Sequence, residues 1–474
     1  MSSATPQGGP GSSVPGPDLN RADLRPGWRS RTTEPPVVAV VGMGYVGSCI
    51  AGTLADRGLS VLGIDTDVDL VDRINRGSTP LAEPGLADLI AAEVGAGRLR
   101  ATTAGHACAD ADVVLLTVAT PVRQDGSLAD EHLRTACAAL CATLRTGQLV
   151  ILKSTVPPGT TRDVVRPLLE ASGLRAGADF ALAYAPERLA EGTALHDLRT
   201  LPVVVGGIDP RSTRLAADFL HSALGAATLP QESLEAAEIV KLADNWWIDL
   251  NIALANELAM FCDLYGVDVL DVIRAANAIP KGDGHVNILR PSVGVGGSCL
   301  TKDPWMVWQS ARRHGLRITT APVGREVNQR MPGYTARLIL DELAVRGVPP
   351  AEATVAVLGL AFKNNTGDLR ATPTEPVVAA LRATGVRVRV HDPLVDPASA
   401  HQTFGLPVTT TVEEAVRDAH CVALLAMHHQ FEDLDFARLP VAESCLILDG
   451  RAYLSKEKIA MLERLGYTYR GIGR

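Results

Sequence analysis

Cys299 stands in a glycine-rich loop, Gly294-Val295-Gly296-Gly297-Ser298-Cys299-Leu300-Thr301-Lys302-Asp303, with a lysine and an aspartate within four residues of it. A thiol acts as a nucleophile only as the thiolate, which a nearby cation favours, and glycines leave room for a substrate. A buried, inert core cysteine is the competing reading. Lys241 and Asn245 are four apart in a stretch without Gly or Pro, so a helix there puts them on one face. They read either as a solvated polar stripe or as donors aimed at an oxygen. Only seven of the 45 basic residues are lysines, and Lys153, Lys241, Lys281, Lys302 and Lys363 fall in motif-like segments. A chain that otherwise prefers Arg uses Lys there, where a compact ammonium suits the chemistry. Two further carboxylates, Glu187 and Glu191, lie in Ala185-Pro186-Glu187-Arg188-Leu189-Ala190-Glu191-Gly192-Thr193 just past an apolar run. They suit acid/base work or surface ion pairing.

A second kind of chemistry is written near the start. Gly42-Met43-Gly44-Tyr45-Val46-Gly47 follows the apolar run Val37–Val41 and opens a helix-like stretch to Arg57. Gly42 permits a tight turn, Gly44 lets backbone approach a pyrophosphate, and Gly47 allows close helix–strand packing. The helix N-terminus adds N–H donors to the phosphates. Asp65 closes the next apolar run, 65 − 47 = 18 residues beyond the last glycine. An acid there accepts from a ribose 2′-OH and repels a 2′-phosphate, so NAD is expected rather than NADP. FAD is the rival dinucleotide, and no second flavin-type signature accompanies the turn.

These residues need elements to hold them. Apolar runs at Val37–Val41, Val61–Asp65, Asp112–Val118, Leu149–Lys153, Ala181–Tyr184 and Pro202–Val205 alternate with helical segments, the pattern of a parallel sheet covered on both faces. Residues 232–264 lack Gly and Pro, and Ile239, Leu242, Trp246, Leu250, Leu254, Leu258 and Phe261 recur at helical spacing. A helix of that length reaches about 50 Å at about 1.5 Å per residue. It is expected to join two domains and to build a subunit interface. Runs at Thr354–Leu358, Val386–Val390, Cys421–Leu425 and Leu446–Asp449 restore the alternation. The fold class is α/β: two Rossmann-like doubly wound domains joined by a long central helix in an all-α region. The expected divisions are a disordered tail at 1–35, a dinucleotide domain at 36–210, a central helical region at 211–330 and a second nucleotide domain at 331–474.

With a net charge of −8, 21% charged and 46% hydrophobic residues, the chain gives no electrostatic reason to bind nucleic acid. No apolar run reaches the roughly 18 residues of a membrane span, and the Pro/Gly/Ser-rich start lacks a signal-type apolar stretch. Eight scattered cysteines include no CxxC pair, so no metal is expected, and reduced thiols in the cytoplasm are.

Over about residues 37–474 the chain resembles the UDP-glucose/GDP-mannose dehydrogenase family. The resemblance rests on the GGSC loop, the Lys241/Asn245 helix, Pro186-Glu187-Arg188 with Glu191-Gly192, Lys153-Ser154-Thr155-Val156-Pro157-Pro158-Gly159-Thr160, and Phe362-Lys363-Asn364-Asn365-Thr366-Gly367-Asp368-Leu369-Arg370. It implies an NAD-dependent four-electron oxidation of a sugar C6 CH2OH to the acid, through a thiohemiacetal and thioester on Cys299. Lys241, Asn245, Glu187, Asp303 and Thr120 are the implied catalytic set. Asp303 and Glu187 share the proton-transfer and water-activating roles without a separate assignment. Thr120, Thr155, Glu191, Lys302 and Arg370 are implied on the cofactor side, with Gly42, Gly44, Tyr45, Val46, Gly47 and Asp65. Glu187, Arg188, Lys241, Asn245, Arg290, Gly296, Phe362, Lys363 and Arg451 are implied around a UDP-sugar, and a homodimer is implied. His285-Val286-Asn287-Ile288 and Asp303-Pro304-Trp305 are similar to the UDP-N-acetylmannosamine and UDP-N-acetylglucosamine branch. Ser298 stands where that branch usually has His, and Glu191-Gly192-Thr193 and Lys302-Asp303 are similar to the UDP-glucose and GDP-mannose branch. Ala371-Thr372-Pro373 replaces the usual Glu-Ser-Pro. A UDP-N-acetylhexosamine is the favoured substrate and UDP-glucose the alternative. A two-electron hydroxyacid-type dehydrogenase is the rival class; it would share the dinucleotide turn and long helix but need neither Cys299 nor a second nucleotide domain.

Overall fold

The computed structural model describes residues 35–282 and 284–474; the expected 1–35 tail lies, but for its last residue, outside them. In the first sheet β1 (Val37–Val41), β2 (Ser60–Ile64), β3 (Leu99–Thr102), β4 (Val113–Leu116), β5 (Leu149–Leu152), β6 (Ala181–Tyr184), β7 (Val203–Gly207) and β8 (Thr228–Gln231) lie in the order β3-β2-β1-β4-β5-β6-β7-β8. All neighbours are parallel except β6 and β7. Alternation along each strand divides two apolar layers. Val38 and Val40 of β1, with Val113 and Leu115 of β4, enter one core, while Ala39, Val114 and Leu116 enter the other. Strand order reverses between β1 and β4, which opens a crevice at their C-terminal ends. The sheet continues past residue 210. Leu215, Ala216, Phe219 and Leu220 of helix Pro210–Leu224 are buried in its core, and β8 follows.

A short hairpin, β9 (Pro280–Lys281) with β10 (Gly284–His285), precedes the Cys299 loop. The second sheet contains β11 (Thr354–Leu358), β12 (Arg387–His391), β13 (Cys421–Leu424), β14 (Leu446–Asp449) and β15 (Thr468–Gly471), all parallel, in the order β12-β11-β13-β14-β15. This is the shorter of the two doubly wound orders, with its switch point between β11 and β13.

Between the sheets runs a 30-residue central helix, Leu234–Asp263. It starts later than the Gly/Pro-free run because Ser233 caps it, its hydroxyl accepting from the Ala236 N–H at 3.1 Å. Its buried face is mixed: Glu238, Lys241, Asn245, Asp249 and Asn256 lie among Leu234, Leu242 and small apolar residues. Ile239, Trp247, Leu254 and Phe261 are exposed. The buried face packs on helix Thr320–Val345. There Arg325 donates to Asp249 at 2.7 Å, Asn328 to Asp249 at 2.8 Å and Asn256 to Asn328 at 2.9 Å. The Asn256 side-chain Oδ1 then accepts from Ser292 N at 2.7 Å, tying the stem of the Cys299 loop to both helices. Among the described residues no helix is long and apolar enough to cross a membrane.

Candidate active site

The dinucleotide turn sits at the first switch point. Gly42 has φ +98° and donates to the Ile64 carbonyl at 2.7 Å. A Cβ on Gly47 would lie 1.8 Å from the Gly42 carbonyl oxygen, so helix Tyr45–Asp56, called α1, packs onto the turn only without a side chain there. A Cβ on Gly44 would meet no protein atom within 4 Å. Open space over a backbone N-terminus is what an approaching pyrophosphate needs. Asp65 follows β2 directly and accepts from Met43 N at 2.6 Å and Asp67 N at 3.0 Å, which holds its carboxylate beside the turn. These residues fit NAD.

The loop after β6 is anchored at both ends. Glu187 accepts from the Arg188 and Leu189 N–H groups at 2.9 and 3.2 Å, and its other oxygen, without a hydrogen bond, faces buried Lys153 Nζ at 3.3 Å. Arg188 reaches Asp244 of the central helix at 3.3 Å. Glu191 pairs with Arg370 of the second sheet's domain, and its carbonyl accepts from Lys363 Nζ at 2.6 Å. Arg370 also donates to both oxygens of Asp368. Burial, and then the neighbouring Asp368 charge, push the Glu191 carboxyl up to about 7, with Arg370 pulling the other way. Thr120 donates to the Thr155 carbonyl at 2.7 Å, joining the ends of β4 and β5.

Cys299 is exposed, and its carbonyl accepts from Lys302 N and Asp303 N at 3.1 and 2.9 Å as helix Asp303–Arg313 begins. Asp303 itself is fully buried, between Asn245, which donates to one oxygen, and Lys302 Nζ, 2.6 Å from the other. Lys302, expected toward the cofactor, is thus an ion-pair partner of Asp303. Lys241 lies one turn from Asn245 and is 8% exposed. Its Nζ makes no hydrogen bond or ion pair among the described residues. The stem is buried while the Nζ keeps a solvent edge, so the ammonium is free to meet a bound ligand.

The loop also meets the second nucleotide domain. Gly297 N donates to the Arg370 carbonyl at 3.0 Å, and a Cβ on Gly296 would come within 2.5 Å of Phe362. Arg451 donates to the Phe362 carbonyl while its Nε is buried and unpartnered. Exposed Arg290 reaches the Ala452 carbonyl at 3.4 Å. The expected residues therefore gather in three neighbourhoods: the turn with Asp65, the central helix with Cys299 and Asp303, and the 362–370 segment with Arg451 and Arg290. Sequence reasoning did not place Lys153, Glu83, Glu238 or Asp368 in the site. Lys153 had a signal in its motif and in the scarcity of lysine. Glu238 accepts from Gly159 N, Thr161 N and the Thr161 hydroxyl at 2.6, 2.9 and 2.6 Å, and burial pushes it up to about 7 against those donors. No spacing announces such a contact across 77 residues.

A dehydrogenase that takes a dinucleotide on one mostly parallel sheet and offers a second to its other substrate is the class this arrangement describes. The three parts match, in order, the models of the UDP-glucose/GDP-mannose dehydrogenase family: the NAD binding domain at residues 37–223, the central domain at 235–330 and the UDP binding domain at 356–456. The chain belongs to that family and is an NAD-dependent nucleotide-sugar dehydrogenase. It is 32% identical to a UDP-N-acetyl-D-mannosamine dehydrogenase of Pyrococcus horikoshii, over 92% of this chain and 99% of the relative. It is 34% identical to an NDP-N-acetyl-D-galactosaminuronic acid dehydrogenase of Ralstonia solanacearum, over 89% and 97%. The solved UDP-D-ManNAc dehydrogenase of P. horikoshii superposes with a TM-score of 0.82 at 31% identity, over 92% of this chain and 99% of that one. A UDP-glucose dehydrogenase of Pyrobaculum islandicum gives 0.81 at 30%, over 94% and 100%.

Proposed function

We propose that the chain oxidises the C6 CH2OH of a UDP-N-acetylhexosamine, with UDP-N-acetyl-D-mannosamine favoured, to the uronic acid through a covalent adduct on Cys299. The observation that carries this reading is the unpartnered ammonium of Lys241, its stem buried and its tip left open, one turn from an Asn245–Asp303–Lys302 cluster whose loop presents an exposed thiol. NAD+, when bound at the turn, supplies a hydride acceptor, and the four-electron oxidation consumes two. Lys241 stabilises the oxygen at C6 as charge develops there. The Cys299 thiolate adds to the aldehyde carbon to give a thiohemiacetal, which holds the intermediate through cofactor exchange. Loss of the second hydride leaves a thioester; water adds, the C–S bond breaks, and the thiolate departs with the acid as product. Asp303 and Glu187 are the groups for proton transfer and water activation. Lys363, Arg451 with its free Nε, Phe362 and Arg290 suit the nucleotide diphosphate and base on the second sheet, and Arg188 the sugar side.

Relatives named for N-acetylated sugars, in P. horikoshii and in Escherichia coli at 33% identity, support the N-acetylhexosamine. UDP-glucose is the second reading, favoured by Glu191-Gly192-Thr193 and Lys302-Asp303 and by the similarity to the P. islandicum enzyme. We place the enzyme in the cytoplasm, with its unpaired thiols, and as a homodimer whose contact is the outward apolar side of the central helix. The test is a panel of UDP- and GDP-sugars with NAD+, counting NADH per sugar. Two NADH with a UDP-N-acetylhexosamine supports the reading. One NADH per product supports a two-electron enzyme and overturns it.

A further inference from the structure

Glu83 belongs to none of the segments that carry the chemistry, yet it touches two of them. It lies in Leu81-Ala82-Glu83-Pro84-Gly85, ahead of helix Leu86–Gly95, which packs on α1. The residue is 6% exposed. One oxygen accepts from the Tyr45 hydroxyl and from Gly192 N at 2.7 Å. The other accepts from Ala194 N at 2.8 Å. Tyr45 is the first residue of α1, next to Gly44 of the dinucleotide turn. Gly192 directly follows Glu191. The 187–193 loop is thus held at its start by Lys153–Glu187 and at its end by Glu83. Between these anchors Glu191 reaches Arg370.

We propose that Glu83 is a positioning residue that couples the dinucleotide turn to the acid/base loop, so that occupation of the turn sets the placement of Glu187 and Glu191. This rests on the functional reading above for what the loop does, though not for the coupling itself. The chemistry requires a carboxylate. All three neighbours approach as donors, so both oxygens must accept. In Glu83→Gln, either orientation of the amide points its NH2 at a backbone N–H, of Gly192 or of Ala194. The shape is kept and one anchor is lost.

The test uses the full-length protein, Glu83→Gln and Tyr45→Phe, with NADH as the probe. Hydrogen exchange is followed at the amides of residues 187–194 with and without NADH, and KM is measured separately for NAD+ and for the nucleotide sugar. In the wild type NADH is expected to slow exchange at Gly192 and Ala194. Glu83→Gln should abolish that NADH-dependent protection, weaken NADH binding about tenfold or more (the scale of one lost charge-assisted hydrogen bond), and raise KM for NAD+ but not for the sugar. Tyr45→Phe keeps the two backbone anchors and should lose only the response to NADH, with basal protection of Gly192 and Ala194 retained. Protection unchanged in Glu83→Gln overturns the proposal. So does an equal rise of both KM values with a lowered melting temperature, which marks a structural role only. If no nucleotide sugar is oxidised by the wild type, yet the NADH-dependent protection and its loss in Glu83→Gln are seen, the coupling stands and the functional reading fails.

Discussion

Replacing Lys241 with Met should cut activity while leaving stability nearly unchanged. The Lys241 stem is buried on the central helix, while its ammonium has no hydrogen bond or ion pair among the described residues and keeps a solvent edge. Removing a charge that is still hydrated releases little desolvation cost, and Met has a similar length and fills the space of the stem, so the change should stay within about 0.5 kcal/mol. At about 2–4 °C per kcal/mol for a unit of 150–250 residues, the melting temperature of the ligand-free protein should stay within about 2 °C. Loss of one preorganised donor to a developing oxyanion should lower kcat about 10²–10³-fold, with KM for the nucleotide sugar little changed. Lys241→Arg, with the charge kept on a wider planar group, should recover little of the rate. Differential scanning fluorimetry and initial rates of NADH formation check both sides. A fall in melting temperature of more than about 4 °C would mean that the ammonium has a structural partner, and a kcat within about twofold of wild type would remove it from the chemistry.

Cys299→Ser should stop net acid formation, because an alkoxide leaves an ester far less readily than a thiolate leaves a thioester. Two NADH per sugar at near wild-type rate would refute the covalent step. Gly44→Ala and Gly47→Ala should separate. The first adds a methyl that meets no protein atom, so the fold persists while NAD+ binding by calorimetry weakens at least about tenfold. The second puts Cβ 1.8 Å from a carbonyl oxygen and should yield little folded protein, as judged by circular dichroism and soluble yield. Glu191 is raised from 4.5 to about 7 by burial and then Asp368, so the folded state holds its proton more tightly than the unfolded chain. Its contribution to stability is therefore present below about 4.5 and lost as pH rises through about 7. Melting curves across that interval should be flatter for Glu191→Gln; an unchanged slope would show that Glu191 does not titrate there.

Local patterns were legible in the sequence, and distant partners were not. The dinucleotide turn is written within six residues, and the apolar runs mark most strands of both sheets to within a residue or two, because each is a local consequence of burial on two faces. Three edge strands escape that reading. β3, β8 and β15 are only partly buried, and β8 contains Pro230, so none forms an apolar run. The central helix was legible in extent but not in orientation. Of the seven apolar residues at helical spacing, Leu242 is buried while Ile239, Leu254 and Phe261 are exposed. Period identifies a face without saying what covers it. In the site, Lys241 and Asn245 share a face by spacing alone, whereas the grip of Asn245 on Asp303 spans 58 residues and that of Glu83 on Ala194 spans 111. Such pairs follow from how the elements pack, and no single segment encodes them.

The central helix carries Lys241 and Asn245 inward and Trp247, Leu254 and Phe261 outward, on one stiff rod. Side-chain tips stand about 5–6 Å from the axis, so a roll of about 20° displaces them by about 2 Å. Lys241 and Asn245 would swing together, and a misplacement of about 1 Å already costs about a hundredfold in rate. Substitutions at Trp247 or Leu254, which touch no reacting group, would then register as slow catalysis with every active-site residue intact. For variants along this rod, torque is a better guide to damage than proximity to the thiol.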